Sequence, residues 1–232
     1  IARFNKVDRF AEKYTPISPY SISANNPLKY REVQGDSIQL VVGKPYTDYE
    51  GKKHHYGHVA LRVFNSKEGY DKVYDFGRYG SVRGLFNQYG DGILNVWDTS
   101  SAYFKTEQAI RESIGYTEST SVSEDKKIMN YYNDLVENGN PYKTKIKRRH
   151  RNSFKLAKDY SALSNNCCTV SGDGLEQIGK DWVDNEFKPN DLLKKLEGNY
   201  KKLGLTRTVY KKGGITITTY EHKKEDGNNA LK

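Results

Sequence analysis

From residue 37 onward, apolar and polar positions alternate in short runs separated by Gly, Asn, Asp and Ser, the period-two pattern of half-buried strands. Four strands are predicted, over residues 37–42, 58–64, 72–78 and 92–97, following one another as an antiparallel meander. A turn at Asn65-Ser66-Lys67-Glu68 would set Phe64 against Gly69 and therefore His58 against Asp75. The period lengthens to that of a helix after Ser121. Ser121 and Glu124 have capping-box spacing, Ile128, Tyr132, Leu135 and Val136 share one face, and Asn138-Gly139-Asn140-Pro141 ends the segment. A second helix is expected from an N-cap at Asn190 through Leu192, Leu193, Leu196 and Tyr200 to Gly204. Residues 206–210 and 215–220 then flank Lys211-Lys212-Gly213-Gly214 as a hairpin. Strands followed by helices imply an α+β fold, a bent antiparallel sheet packed on helices.

The ends read differently. Residues 1–36 carry Pro16, Pro19 and Pro27 among Ser and Asn and lack periodicity, which predicts an arm or linker with a short helix over residues 8–13. Residues 37–185 form the expected core, residues 186–232 its C-terminal helix and hairpin extension, and the charged stretch 223–232 a frayed tail. The chain opens on Ile1 rather than Met, as a processed or excised domain would.

Composition narrows the function classes. A mean hydropathy of -0.88 goes with the absence of any run near the roughly 18 apolar residues of a membrane span, so no transmembrane segment is expected. The formal charge of +9 favours an anionic partner such as a cell wall, an anionic lipid surface or nucleic acid. Its densest stretch, residues 143–151, is accompanied by no nucleic-acid motif and reads as a solvated loop or helix face, so nucleic acid is not the expected partner. The 19 tyrosines fit either half-buried sheet positions or a stacking surface.

The candidate chemistry lies in two clusters. Asn165-Asn166-Cys167-Cys168-Thr169 holds both cysteines of the chain, side by side and just ahead of a segment with Leu175 and Ile178. Neighbouring Cα atoms are about 3.8 Å apart, below the roughly 4.4 Å of an unstrained bridge, so at least one free thiol is expected. A helix start lowers a thiol's pKa, and a remote histidine can act as its base. His58, in Tyr56-Gly57-His58, begins an apolar strand; His54, His55, His150 and His222 sit in charged, solvated surroundings. Asp75, opposed to His58, could hold the imidazole in one tautomer. Set against this, buried cysteines commonly fill space, a strand histidine can be structural, and Asp75 can be an edge residue. Zinc is not expected, because adjacent cysteines cannot take the C-x-x-C ligand spacing.

The order Tyr-Gly-His-Val-Ala-Leu, then Tyr74-Asp75-Phe76-Gly77, then a helix, then Asn-Asn-Cys, with Pro141-Tyr142 and Tyr160 between, resembles the circularly permuted branch of the NlpC-type papain-like cysteine hydrolases over residues 37–180. The resemblance implies a papain-like catalytic core with Cys167 as nucleophile, His58 as base and Asp75 as the third polar residue. Asn166, Asn165 and Tyr56 are candidate oxyanion or substrate donors, and no cofactor is implied. It further implies an acyl-enzyme hydrolase acting on cell-wall peptides, or on lipid acyl groups as in the lecithin:retinol acyltransferase-like relatives. Several bacterial relatives are secreted or periplasmic antibacterial effectors, which implies delivery to a target compartment and an immunity or inhibitor protein as partner. Gly172 and Gly174 depart from the family's clean helix after the nucleophile. A basic module that binds an anionic polymer without catalysis is the alternative.

Overall fold

The computed structural model describes residues 36–48, 50–79, 82–83, 88–106, 109–144, 148–184, 188–212 and 217–220. The expected arm with its helix over 8–13, the charged tail 223–232 and the middle of the basic run, 145–147, lie outside these residues. In chain order the elements are β1 (Asp36–Gly43), β2 (Tyr46–Thr47), β3 (Lys53–His54), β4 (His58–Asn65), β5 (Tyr70–Gly77), β6 (Val82–Arg83), β7 (Tyr89–Gly90), β8 (Ile93–Trp97), α1 (Ser100–Thr106), β9 (Ser113–Ser119), α2 (Val122–Glu137), β10 (Asn140–Pro141), β11 (Arg151–Lys155), β12 (Tyr160–Ser161), α3 (Cys167–Glu176), α4 (Pro189–Asn199), β13 (Thr206–Tyr210) and β14 (Ile217–Tyr220).

The four expected strands are β1, β4, β5 and β8, and they do pair in sequence order. They form the centre of a nine-stranded antiparallel sheet among the described residues, in the order β10-β11-β8-β5-β4-β1-β9-β13-β14. The α+β class therefore stands. The C-terminal hairpin joins the same sheet, because β13 pairs with β9. Strand β9 has a weak sequence pattern because Gly115 interrupts it. A Cβ there would fall 2.7 Å from the Gln39 side chain, which instead fits over the glycine and bridges Thr117 Oγ1 and the Tyr210 hydroxyl at 2.8 Å each.

Alternation along the strands creates two cores. Val59, Leu61 and Val63 of β4 are fully buried with Ile38, Leu40, Ile128, Tyr132, Leu175, Leu192 and Leu196 on the face covered by α2, α3 and α4. Ala60 packs with Val41, Val73 and Trp97 against Tyr103 of α1 on the other face. Helix α2 carries the expected Ser121–Glu124 capping box. Its buried Asp125 accepts hydrogen bonds from the Tyr70 and Thr120 hydroxyls, both at 2.6 Å, which ties the helix to the β4–β5 hairpin.

Two expectations need correction. The β4–β5 register differs by two residues, with Phe64 against Asp71 and Asn65 against Tyr70. Asn65 stays in the strand and its side chain accepts from the Lys67 and Glu68 backbone N–H groups at 2.9 Å each, while Gly69, at φ +78°, completes the turn. The turn therefore occupies Ser66–Gly69. The N-cap of α4 is Lys188, with Pro189 in the first turn, rather than Asn190. The Asn190 amide instead donates to the His55 carbonyl at 3.1 Å.

Candidate active site

Helix α3 begins at Cys167 because Asn166 caps it. The Asn166 side-chain oxygen accepts from the Cys168 and Thr169 N–H groups at 2.8 and 3.3 Å, and the Thr169 hydroxyl accepts from the Asn166 N–H at 2.8 Å. The helix spans Cys167–Glu176 despite its two glycines, and packing explains them. A Cβ on Gly174 would fall 2.9 Å from the Tyr132 hydroxyl, and one on Gly172 3.2 Å from Val183, so the glycines allow α3 to lie close to its neighbours. Both cysteines are free thiols, and Cys167 is 4 % exposed and Cys168 fully buried.

His58 is the first residue of β4, at the end of the sheet, opposite Gly43 of β1. Gly57 sets its position. A Cβ on Gly57 would fall 2.5 Å from the Gly43 carbonyl oxygen and 2.9 Å from Pro189 Cβ, so the chain passes between β1 and the start of α4 only without a side chain. Gly57→Ala is expected to lower stability by about 1–3 kcal/mol through overpacking against backbone. It should also displace His58; thermal unfolding together with the rate of Cys167 alkylation checks both effects.

Asp75 reaches His58 although the two are not directly opposed. A two-residue change of register leaves a side chain on the same face of the sheet, and diagonal neighbours about 7–8 Å apart remain within reach of long side chains. Asp75 Oδ1 is hydrogen bonded to His58 Nε2. Asp75 is fully buried and His58 is 15 % exposed at the side chain. Across the sheet, Asp75 pairs directly with Asn95 of β8, and Asn95 with Ser153 of β11. The Ser153 hydroxyl donates to Asn95 Oδ1 at 2.7 Å, which orients the amide so that its Nδ2 points to Asp75 Oδ2 at 3.4 Å. Tyr79, just past β5, donates its hydroxyl to both Asp75 oxygens, at 2.9 and 2.8 Å.

The thiol completes the set. With Nε2 of His58 bound to Asp75, Nδ1 is the ring nitrogen left to face Cys167, whose interaction with the imidazole raises its pKa. Burial would lower the His58 pKa, but the charge of Asp75, the hydrogen bond to it and the interaction with Cys167 raise it to about 10. A hydrogen bond from the Cys168 thiol holds Cys167 well below the ordinary thiol range, against its burial, and His58 and the Val59 backbone add to this. Burial opposes ionisation of Asp75, yet the His58 charge and hydrogen bonds from His58, Tyr79 and Asn95 keep its pKa below the usual value. Both directions favour a thiolate on Cys167 beside a protonated His58.

The sign of the pH dependence follows from these directions. The pair forms as pH rises through the lowered Cys167 pKa and loses the His58 proton as pH approaches about 10. Cys167 is therefore expected to be alkylated by iodoacetamide rapidly at pH 6, where a free thiol of pKa near 8.5 is almost wholly protonated. Peptide mapping after timed quenches between pH 4 and 10 measures this.

The other sequence candidates sit around this centre with their groups engaged or displayed. Asn166 is buried; its amide caps α3 and donates to the Ala162 carbonyl at 2.9 Å. The Asn165 amide donates to the Asp159 carbonyl at 2.7 Å. Tyr56 projects into solvent, 82 % exposed. Tyr160 of β12, whose neighbour Ser161 bridges Asn165 just ahead of the cap, stacks on Phe76 at 6.1 Å and lies beneath the Arg78 guanidinium at 5.8 Å. Tyr79, Asn95 and Ser153 were not visible as site residues in the sequence; only the pairing of β5 with β8 and of β8 with β11 could have pointed to the last two. Among the described residues no group of three His, Cys, Asp or Glu is arranged to hold a metal ion.

No family model and no curated protein matches the sequence. Among solved structures, the chain is similar to the type VI secretion system effector TseH, with a TM-score of 0.51 and 13 % identity over 81 % of this chain and 99 % of that one. At that identity the likeness establishes a shared fold.

Proposed function

We propose that the protein is a cysteine hydrolase that works through an acyl-enzyme intermediate, with Cys167 as nucleophile, His58 as acid and base, and Asp75 as the group that orients His58. The observation that carries this reading is the meeting of a capped-helix thiol, an imidazole and a buried carboxylate from three separate elements. The chain order, with His58 and Asp75 ahead of Cys167, supports the permuted papain-like arrangement.

In the proposed reaction the Cys167 thiolate attacks the substrate carbonyl carbon. The oxygen that becomes negative is held by the Cys167 N–H at the first turn of α3, since the Asn166 cap takes the Cys168 and Thr169 N–H groups. His58, protonated at Nδ1, gives that proton to the leaving amine as the carbon–nitrogen bond breaks, and a thioester remains on Cys167. Neutral His58 then takes a proton from water, the hydroxide adds to the thioester, and release of the acid restores the thiolate and imidazolium.

The favoured substrate is an amide bond in bacterial cell-wall peptides, with the protein acting as a delivered, secreted antibacterial effector that meets an immunity protein in its producer. The basic charge suits an anionic wall, and the fold shared with TseH, itself a type VI secretion system effector, supports the effector role. Hydrolysis of lipid acyl groups is the second reading, favoured by exposed apolar groups near the site: Leu163, 63 % exposed and three residues before the Asn166 cap, and Tyr56. No helix among the described residues is long and apolar enough to cross a membrane. Incubation with purified peptidoglycan and, separately, with anionic phospholipid vesicles, followed by mass spectrometry, distinguishes the two. New peptide ends that depend on Cys167 support the amidase; released fatty acid supports the second reading; no product from either, with retained polymer binding, supports a non-enzymatic basic module.

A further inference from the structure

Tyr79 lies two residues beyond the end of β5, yet its ring folds back over the strand. A Cβ on Gly77 would fall 2.8 Å from Tyr79 Cε2, so the glycine makes room for the ring. Its hydroxyl reaches both oxygens of Asp75, and the same hydroxyl is 3.4 Å from His58 Nε2. The Tyr79 and His58 rings meet edge to face at 6.3 Å. Tyr79 is itself 37 % exposed, whereas Asp75 is fully buried, so the phenol stands between the carboxylate and water.

We propose that Tyr79 is a positioning residue that seals the Asp75–His58 hydrogen bond against water and fixes the carboxylate in the plane that serves His58. This rests on the cysteine-hydrolase reading of the same centre. The reasoning is one of hydrogen-bond supply. A buried carboxylate offers about four acceptor sites, and any left open draws in water. In Asp75, His58 and Tyr79 engage Oδ1, while Tyr79 and Asn95 engage Oδ2. Without the phenol hydroxyl, water would take the vacated lone pairs beside Nε2. That would screen the carboxylate's charge and open a route for exchange of the Nε2 proton.

The titratable and charged groups facing the pair are few. Cys167 of α3 and Tyr79 of the segment after β5 act on the pair directly; Cys168 acts on Cys167, and Tyr160 of β12, under Arg78, lies beyond the cysteines. Asn95 of β8 is neutral, and α4 presents Pro189 and Asn190 to the adjoining Gly57. Lys44, next to the β1 residue that pairs with His58, is bound to Glu112 at 2.6 Å. Apart from Tyr79 itself, Tyr79→Phe replaces none of these groups, so a change in His58 reports on the loss of the phenol hydroxyl.

The test is Tyr79→Phe, which keeps the ring and removes the donor. Imidazole carbon-bound proton signals give the His58 titration midpoint, assigned by their loss in His58→Ala, and the downfield Nε2–H signal gives its exchange rate with water. The expected result is a midpoint lower by at least about half a pH unit and exchange faster by about tenfold or more, with the fold retained. Site-specific 3-fluorotyrosine at position 79 keeps both ring and hydroxyl and should retain the slow exchange. Gly77→Ala, which pushes the ring aside, should reproduce the Tyr79→Phe effects and serves as the second variant. Unchanged midpoint and exchange in Tyr79→Phe overturn the positioning role. A wild-type His58 that titrates near the ordinary 6.5, with Cys167 alkylated only above pH 8, would instead overturn the hydrolase reading itself.

Discussion

Cys167→Ala is expected to abolish turnover, a loss of at least about 10³-fold, and to eliminate the adduct with a small thiol-reactive acyl mimic. Cys168→Ala should keep the adduct on the neighbouring residue. The two thiols are adjacent, but side chains one residue apart on a helix diverge by about 100°, so only one can meet His58. It is Cys167, at the first position of α3, whose pKa His58 lowers; Cys168 is fully buried and its hydrogen bond lowers the pKa of its neighbour. Loss of that donor should raise the pH at which Cys167 becomes reactive without removing the nucleophile. Mass mapping of the labelled protein decides the matter: modification at Cys168 with Cys167 untouched would overturn the assignment.

His58→Ala should likewise abolish turnover, since it removes both a group that lowers the thiol's pKa and the proposed proton donor to the leaving group. Asp75→Asn is expected to be milder. The amide can still accept a hydrogen bond but carries no charge to stabilise the imidazolium, so the rate should fall by at least about tenfold, roughly 1.4 kcal/mol, with substrate binding largely intact. The rate constant rather than affinity should change. Full activity in Asp75→Asn would remove Asp75 from the orienting role. A folded, active His58→Ala protein would remove the hydrolase reading and leave the basic module, whose exposed Arg148, Arg149 and His150 would then be the surface to examine.

The centre was legible in the sequence to different depths. The thiol next to a helix start could be read because Asn166, Cys167 and Thr169 are a local cap, complete within four residues. His58 stood out because the alternating apolar residues Val59, Leu61 and Val63 follow it, a local sign that it begins a strand. The link to Asp75 was anticipated through a register that is two residues off. It survives because an even offset keeps both side chains on one face; an odd one would have placed Asp75 in the opposite core. The turn was misplaced because Gly69 could close either of two loops, and the Asn65 side chain, bonded to the turn's own backbone, selects the longer strand.

Strand β9, the extension of the sheet through β11, and the roles of Asn95, Ser153 and Tyr79 were not readable, for a different reason. Gly115 is acceptable in a strand only because Gln39 fills the space above it, and Gln39 lies on another strand far away in sequence. Asn95 and Ser153 become part of the centre only once β8 stands beside β5 and β11 beside β8, and Tyr79 only once its ring turns back over Gly77. By itself, then, the sequence determined what depends on neighbours along the chain: strand and helix periods, the cap of α2, and the residue types able to do thiol chemistry. Tertiary structure alone decided which strands adjoin, which acceptors of Asp75 are occupied and which thiol meets the imidazole. Those outcomes depend on side chains from distant segments competing for the same few ångströms of buried space, and no local pattern records that competition.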